Sequence, residues 1–175
     1  TPFNKNGQVD FAAFKDLIQF QERNGSCAVL IMGSTGEVSM LSPEEKKAII
    51  VETAKMKTAA MPIFYGCTGN NTDVTIANVK FAKDNGACAI FVRGLEYERR
   101  LTDPYFFPLY KLAEKLDLAV TLHSGNNSFQ MWDIFREEGG FNKSKLMVIG
   151  AFHSLIMDGI PEKFPNVRWG FVEVS

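Results

Sequence analysis

Short, unbroken apolar runs alternate with amphipathic helical stretches along this chain, and that alternation restricts its fold more than any other feature. CAVLIMG (27–33), PIFYGCT (62–68), ACAIFV (87–92), LAVTLHSG (118–125) and VRWGFVEVS (167–175) have the length of strands. Being apolar at successive positions, they need burial on both faces, the condition of a parallel sheet flanked by helices. Between them, FAAFKDLIQFQERNG (11–25) spaces Phe11, Phe14, Leu17, Ile18 and Phe20 as a helix does and stops at Gly25. LSPEEKKAIIVETAKM (41–56) and TDVTIANVKFAKDNG (72–86) read as further helices, as do a segment from Pro108 within 103–117 and one within 143–160. In the 41–56 helix, Ser42 is the cap, Pro43 suits the first position, and Glu45 completes a capping box. Thr1-Pro2-Phe3 is read as the end of a sixth strand. The unit recurs about every 30 residues. The expected fold is therefore α/β, with parallel (βα) units of TIM-barrel type, about six of the usual eight, in a partial or reorganised barrel. One α/β domain, 1–175, is expected.

Charge and composition exclude several function classes. A net charge of −1 leaves no electrostatic footprint for nucleic acid or an anionic membrane. No apolar run approaches the ~18 residues of a membrane span. Cys27, Cys67 and Cys88 each sit near an apolar run and are expected as buried reduced thiols. The cytoplasm is the expected location. Phe106, Phe107 and Tyr110 read as core aromatics, and Glu96, Glu98, Arg99 and Arg100 as a solvated loop of mixed sign. The segment 124–142 is irregular but carries Phe129, Met131, Trp132, Ile134 and Phe135, which suits a packed loop of active-site type.

GSTGEVSMLSPEEK (33–46), preceded by TPF (1–3) and GQVDF (7–11) and followed by GCTGNNT (66–72), resembles the dihydrodipicolinate synthase and N-acetylneuraminate lyase family of Schiff-base aldolases. The resemblance covers roughly residues 1–92. It implies that Ser34 joins a proton relay and that Thr35 binds the carboxylate of a keto acid. Glycines flanking a turn rich in donors are consistent with an approaching anion. The family also implies a Schiff-base lysine on the sixth strand and a relaying tyrosine on the fifth. LAVTLHSG has no tyrosine, and VRWGFVEVS has no lysine. Lys5, Lys46, Lys47, Lys55, Lys57, Lys80 and Lys83 fall on helix or loop patterns.

RGLEYERRLTDPYFFPLYKLAEKLDLAVTLHSGNNS (93–128) and GIPEKFPNVRWGFVEVS (159–175) are similar to the amidohydrolase superfamily, in the branch related to aminocarboxymuconate-semialdehyde decarboxylase. That resemblance implies a divalent metal, zinc or manganese, with His123 and Glu173 as ligands. A catalytic zinc typically has three protein ligands, and the chain offers no His-x-His pair. His153, inside an apolar helical pattern, is expected to be packed or satisfied by backbone. Arg93 and Glu96, just past a strand, are expected either at a barrel mouth binding substrate or in a surface ion pair.

Two resemblances in one chain predict a hybrid, with a crossover in GACAIFVRGLEYERR (86–100). The expected function is an engineered or chimeric barrel-type scaffold without native catalysis. The alternatives are an amidohydrolase-type hydrolase or decarboxylase completed by segments absent here, and an aldolase or lyase remnant binding a keto acid. The expected partners are a small carboxylate or keto acid and further copies of the chain, which would cover open strand edges.

Overall fold

A computed structural model of the chain describes residues 1–67, 72–96, 98–124, 137 and 145–172. The chain divides into two compact units, Thr1–Ile90 and Phe91–Ser175.

In the first unit, Asp10 caps helix α1 (Phe11–Arg23) by accepting from the Ala13 N–H at 3.0 Å. α1 buries Phe14 and Ile18, whereas Leu17 and Phe20 are half exposed. Strands β1 (Val29–Ile31) and β2 (Ile63–Tyr65) pair in parallel, with Val29 beside Ile63 and Ile31 beside Tyr65. Between them, helix α2 (Pro43–Ala54) opens with the expected capping box. The Ser42 hydroxyl accepts from the Glu45 N–H at 3.1 Å, and the Glu45 carboxylate accepts from the Ser42 N–H at 2.8 Å. Ile49, Ile50 and Thr53 face the core from α2. The Thr53 hydroxyl donates to the Ile49 carbonyl at 2.6 Å and lies 2.9 Å from the Tyr65 hydroxyl, tying α2 to β2. Helix α3 (Thr72–Asp84) ends on Gly86, whose φ of 88° only glycine adopts without strain.

Thr1–Phe3 is not a strand of a parallel sheet. Phe3 instead makes an antiparallel bridge to Val9. Asn4 folds the chain back, its side-chain oxygen accepting from the Asn6 and Gln8 N–H groups at 2.9 and 3.0 Å.

Strand β3 (Ala89–Arg93) begins in the first unit and ends in the second, and it heads a sheet ordered β3-β6-β7. Strands β6 (Ala119–His123) and β7 (Trp169–Val172) run parallel. After β3 comes a small antiparallel hairpin, β4 (Leu95–Glu96) with β5 (Arg99–Arg100), where a solvated loop was expected. Glu96 is buried there. Helix α4 (Phe107–Lys115) follows a 3-10 turn, Pro104–Phe106, capped by Asp103. Phe106 and Tyr110 are core residues, as expected. Helix α5 (Leu146–Met157) is followed by the short helix α6 (Ile160–Lys163).

α5 corrects an expectation about phase. Its buried stripe is Val148, Ala151 and Leu155, so His153 and Ile156 face outward, and Phe152 is half exposed with its ring 5.0 Å from that of Phe171. His153 is exposed rather than packed. A helix that is apolar nearly all round gives no unique face from its sequence. The cysteines also divide: Cys67 is buried, Cys88 half-buried and Cys27 exposed, all three as free thiols.

Candidate functional site

Where β1 ends, the backbone turns sharply. Met32 is buried yet has a φ of 61°, a left-handed conformation that costs a non-glycine residue roughly 1–3 kcal/mol. Gly33 is extended, and Ser34–Gly36 forms a 3-10 turn closed by the Gly36 N–H on the Gly33 carbonyl at 3.0 Å. The Glu37 N–H donates to the Ser34 carbonyl at 2.9 Å. The Thr1 hydroxyl also donates to the Gly36 carbonyl. Ser34 and Thr35 are both exposed, and neither hydroxyl bonds a described residue. The turn thus presents two adjacent hydroxyl donors.

The backbone after β2 is pressed against this turn. The Gly66 N–H donates to the Ile31 carbonyl at 2.9 Å. A Cβ at Gly66 would lie 2.1 Å from the Met32 carbonyl oxygen, which no side chain can tolerate. Residues 68–71, the rest of the GCTGNNT stretch, lie outside the described residues. Gly66 and Met32 shape the turn, and sequence reasoning singled out neither for that role. A glycine directly after a strand is the one available signal of such a close approach.

No lysine lies on a strand among the described residues. β6 carries no tyrosine. Tyr65 on β2 is buried, and desolvation raises its pKa, only partly opposed by the Thr53 hydrogen bond. A nucleophilic lysine on a strand end and a relaying tyrosine on β6 are therefore not furnished by these residues.

In the second unit, Arg93 ends β3 and is gripped by Glu96. The Glu96 carboxylate accepts from Arg93 Nε at 2.9 Å, from Nη2 at 2.7 Å and from the Arg93 backbone N–H at 3.0 Å. Glu96 is buried because these charge-assisted bonds replace its water. His123 ends β6, with Nδ1 against the Ser124 carbonyl and its ring 5.2 Å from that of Phe91. Glu173 lies outside the described residues, as does nearly all of 124–142. Among the described residues, no three His, Cys, Asp or Glu side chains come together. The donors among the described residues do not fit a three-ligand metal site. An open cleft of about 590 Å³ is lined by Glu98, Arg99, Arg100, Asp103 and Asp158. Its charges are paired internally, Arg99 with Asp103 at 3.2 Å and Arg100 with Asp158 at 3.8 Å.

Parallel strands linked by helices, with exposed donors in the turns at strand ends, fit a (βα)-barrel-type protein. The model of the dihydrodipicolinate synthetase family matches residues 1–93, and the chain belongs to that family. It is 32% identical over 124 residues to the 4-hydroxy-tetrahydrodipicolinate synthase of Hydrogenobaculum sp., covering 71% of this chain and 42% of that protein. Dihydrodipicolinate synthase DapA-2 from Bacillus anthracis superposes with a TM-score of 0.60 at 30% identity, over 70% of this chain and 42% of that one. The chloride-inhibited synthase from Acinetobacter baumannii, solved in complex with pyruvate, gives 0.59 at 30% identity, over 70% and 42% of the two chains. The chain thus spans less than half the length of these relatives. The likeness does not stop at Arg93. A match of 124 residues in a chain of 175 leaves at most 51 before it, so it takes in residues 94–124 wherever it begins.

Proposed function

We propose that this chain binds a small 2-keto acid through its carboxylate, with Ser34 and Thr35 as donors, and does so without a Schiff base of its own. The observation that carries the reading is the turn itself. Two exposed hydroxyls with no bond to a described residue stand on a backbone bent at Met32 and pressed against Gly66. Strain of this kind persists where the surrounding structure holds it for a purpose. Two hydroxyl donors, with the N–H groups that open a 3-10 turn, suit a carboxylate. Pyruvate is the natural probe, since it is bound in a related structure.

The covalent half of aldolase chemistry needs an amine held, partly desolvated, at a strand end. Noncovalent binding is the part of the reaction these residues support. Pyruvate titration followed by calorimetry tests it. Thr35→Ala and Ser34→Ala are each expected to weaken binding about tenfold, the value of one hydrogen bond to a charged group. Borohydride treatment with pyruvate is expected to leave the intact mass unchanged. A reduced covalent adduct, or binding indifferent to both substitutions, would sink the reading.

A hybrid with an amidohydrolase-type second half is the less supported account. It would need stoichiometric zinc or manganese that is lost on His123→Ala, whereas the likeness to the synthases runs through residues 94–124. Self-association is part of the proposal. β7 borders only β6 among the described residues, and an open strand edge favours pairing.

A further inference from the structure

Helix α5 buries one stripe and leaves a second open. Ile149, Gly150, His153, Ile156 and Met157 recur at the spacing of one helix side, opposite the buried Val148, Ala151 and Leu155. Ile156 is 53% exposed and Met157 69%, Gly150 and His153 are exposed, and Ile149 is half-buried. Single apolar side chains on a surface need no explanation, but a contiguous stripe of them marks an interaction site.

Gly150 is the unexpected member. A Cβ there would meet nothing within 4 Å, so the packing of the chain itself does not demand a glycine. In the interior of a helix, glycine is the costliest choice after proline. What it offers is space, because the distance between two packed helices is set by the side chains at their contact.

We propose that this stripe is the contact between two copies of the chain, with their α5 helices antiparallel and His153 at the two-fold axis. A two-fold contact needs a surface that complements itself. Antiparallel pairing about His153 sets Ile156 over the gap at the partner subunit's Gly150, and Ile149 against the partner subunit's Met157. Charge favours the same direction. Lys145 stands at the N-terminal end of α5 and Asp158 at its C-terminal end, each where the helix dipole disfavours it, and the first turn has no acid and the last no base. Antiparallel pairing brings these unlike ends together. Asp158 also lies 3.8 Å from Arg100, in an exposed pair too long for a hydrogen bond. One helix stripe buries less than the ~800 Å² per partner of a standard interface, so the dimer is weak and depends on concentration. The proposal shares with pairing at the β7 edge only the partner, a second copy, and places the contact on a different element.

Sedimentation velocity of the whole chain, from micromolar to millimolar concentration, tests it, with the histidine Cε1–H signals followed by NMR over the same range. The wild type is expected to pass from monomer to dimer, with the His153 signal shifting as it does. Ile156→Glu and Met157→Glu, at exposed positions, should each weaken the dimer about tenfold or more with the circular dichroism unchanged. Gly150→Gln separates the contact from the fold. It should raise the melting temperature, as a better helix former, and yet weaken the dimer by filling the gap. A wild type that stays monomeric at millimolar concentration would give the stripe to another partner and overturn both this proposal and self-association at β7. A dimer that survives Ile156→Glu combined with Met157→Glu would overturn this proposal alone, as would a Gly150→Gln variant that is more stable and dimerises as before.

Discussion

Three cysteines with the same side chain meet three environments, and the differences are chemical. Burial pushes the Cys67 thiol up to about 12, so it stays protonated in the folded protein at neutral pH. Cys27 is exposed and open to reagents. A disulfide reagent at pH 8 is expected to label Cys27 first and Cys67 only on unfolding, which mass spectrometry of labelled peptides would check. Because the folded Cys67 pKa lies above the ordinary value of 9.0, its contribution to stability is whole below that value and is lost as pH rises towards 12. Replacing Cys67 by alanine should flatten the fall in melting temperature between pH 9 and 11. Gly66 makes a separate prediction. Gly66→Ala should cost roughly 1–3 kcal/mol by forcing β2 off the Met32 carbonyl, read by urea unfolding. It should also weaken pyruvate by displacing the Ser34–Thr35 turn. Unchanged stability would show that the close approach is absent in solution.

At the scale of elements, α2 shows how far local signals go. Ser42, Pro43 and Glu45 specify its start, and every part of that cap is present. Hydrogen bonding to Ser42, through its backbone first, holds the Glu45 carboxyl below its ordinary value. The cap therefore contributes above the ordinary carboxylate pKa and is lost as pH falls through the folded one. Ser42→Ala should cost roughly 0.5–2 kcal/mol near neutral pH and less once the pH is low enough to protonate Glu45. Hydrogen exchange of the first-turn amides would report it. In β6, Leu122 is fully buried, and Leu122→Ala should cost about 2–5 kcal/mol in chemical denaturation. α5 is the contrary case, since its sequence is apolar on most sides and only packing chose the Val148, Ala151, Leu155 stripe.

For the whole molecule, family and extent are separate matters. The chain belongs to the dihydrodipicolinate synthetase family through residues 1–93, and its relatives are more than twice as long as the matched part. The boundary between its two compact units, Ile90 to Phe91, falls inside GACAIFVRGLEYERR. Likeness to the synthases nonetheless continues through that stretch. No helix among the described residues is long and apolar enough to cross a membrane. Light scattering is expected to give a mass above the 19.6 kDa of one chain, because β7 borders only β6 among the described residues. A monodisperse monomer at high concentration would count against self-association.

The sequence by itself determined the alternation of helix and strand, the parallel pairing it required, the α2 cap, and the Ser34–Thr35 turn. Each of these is written in residues close together along the chain, where periodicity and capping chemistry act. Tertiary structure decided the rest. The left-handed Met32, its contact with Gly66, and the ring contact of Phe91 with His123 are set by one backbone angle or join segments distant in sequence. No pattern of residue types encodes two loops pressed so close that a Cβ at Gly66 would lie 2.1 Å from the Met32 carbonyl oxygen. Packing fixes such distances only when the strands are already side by side.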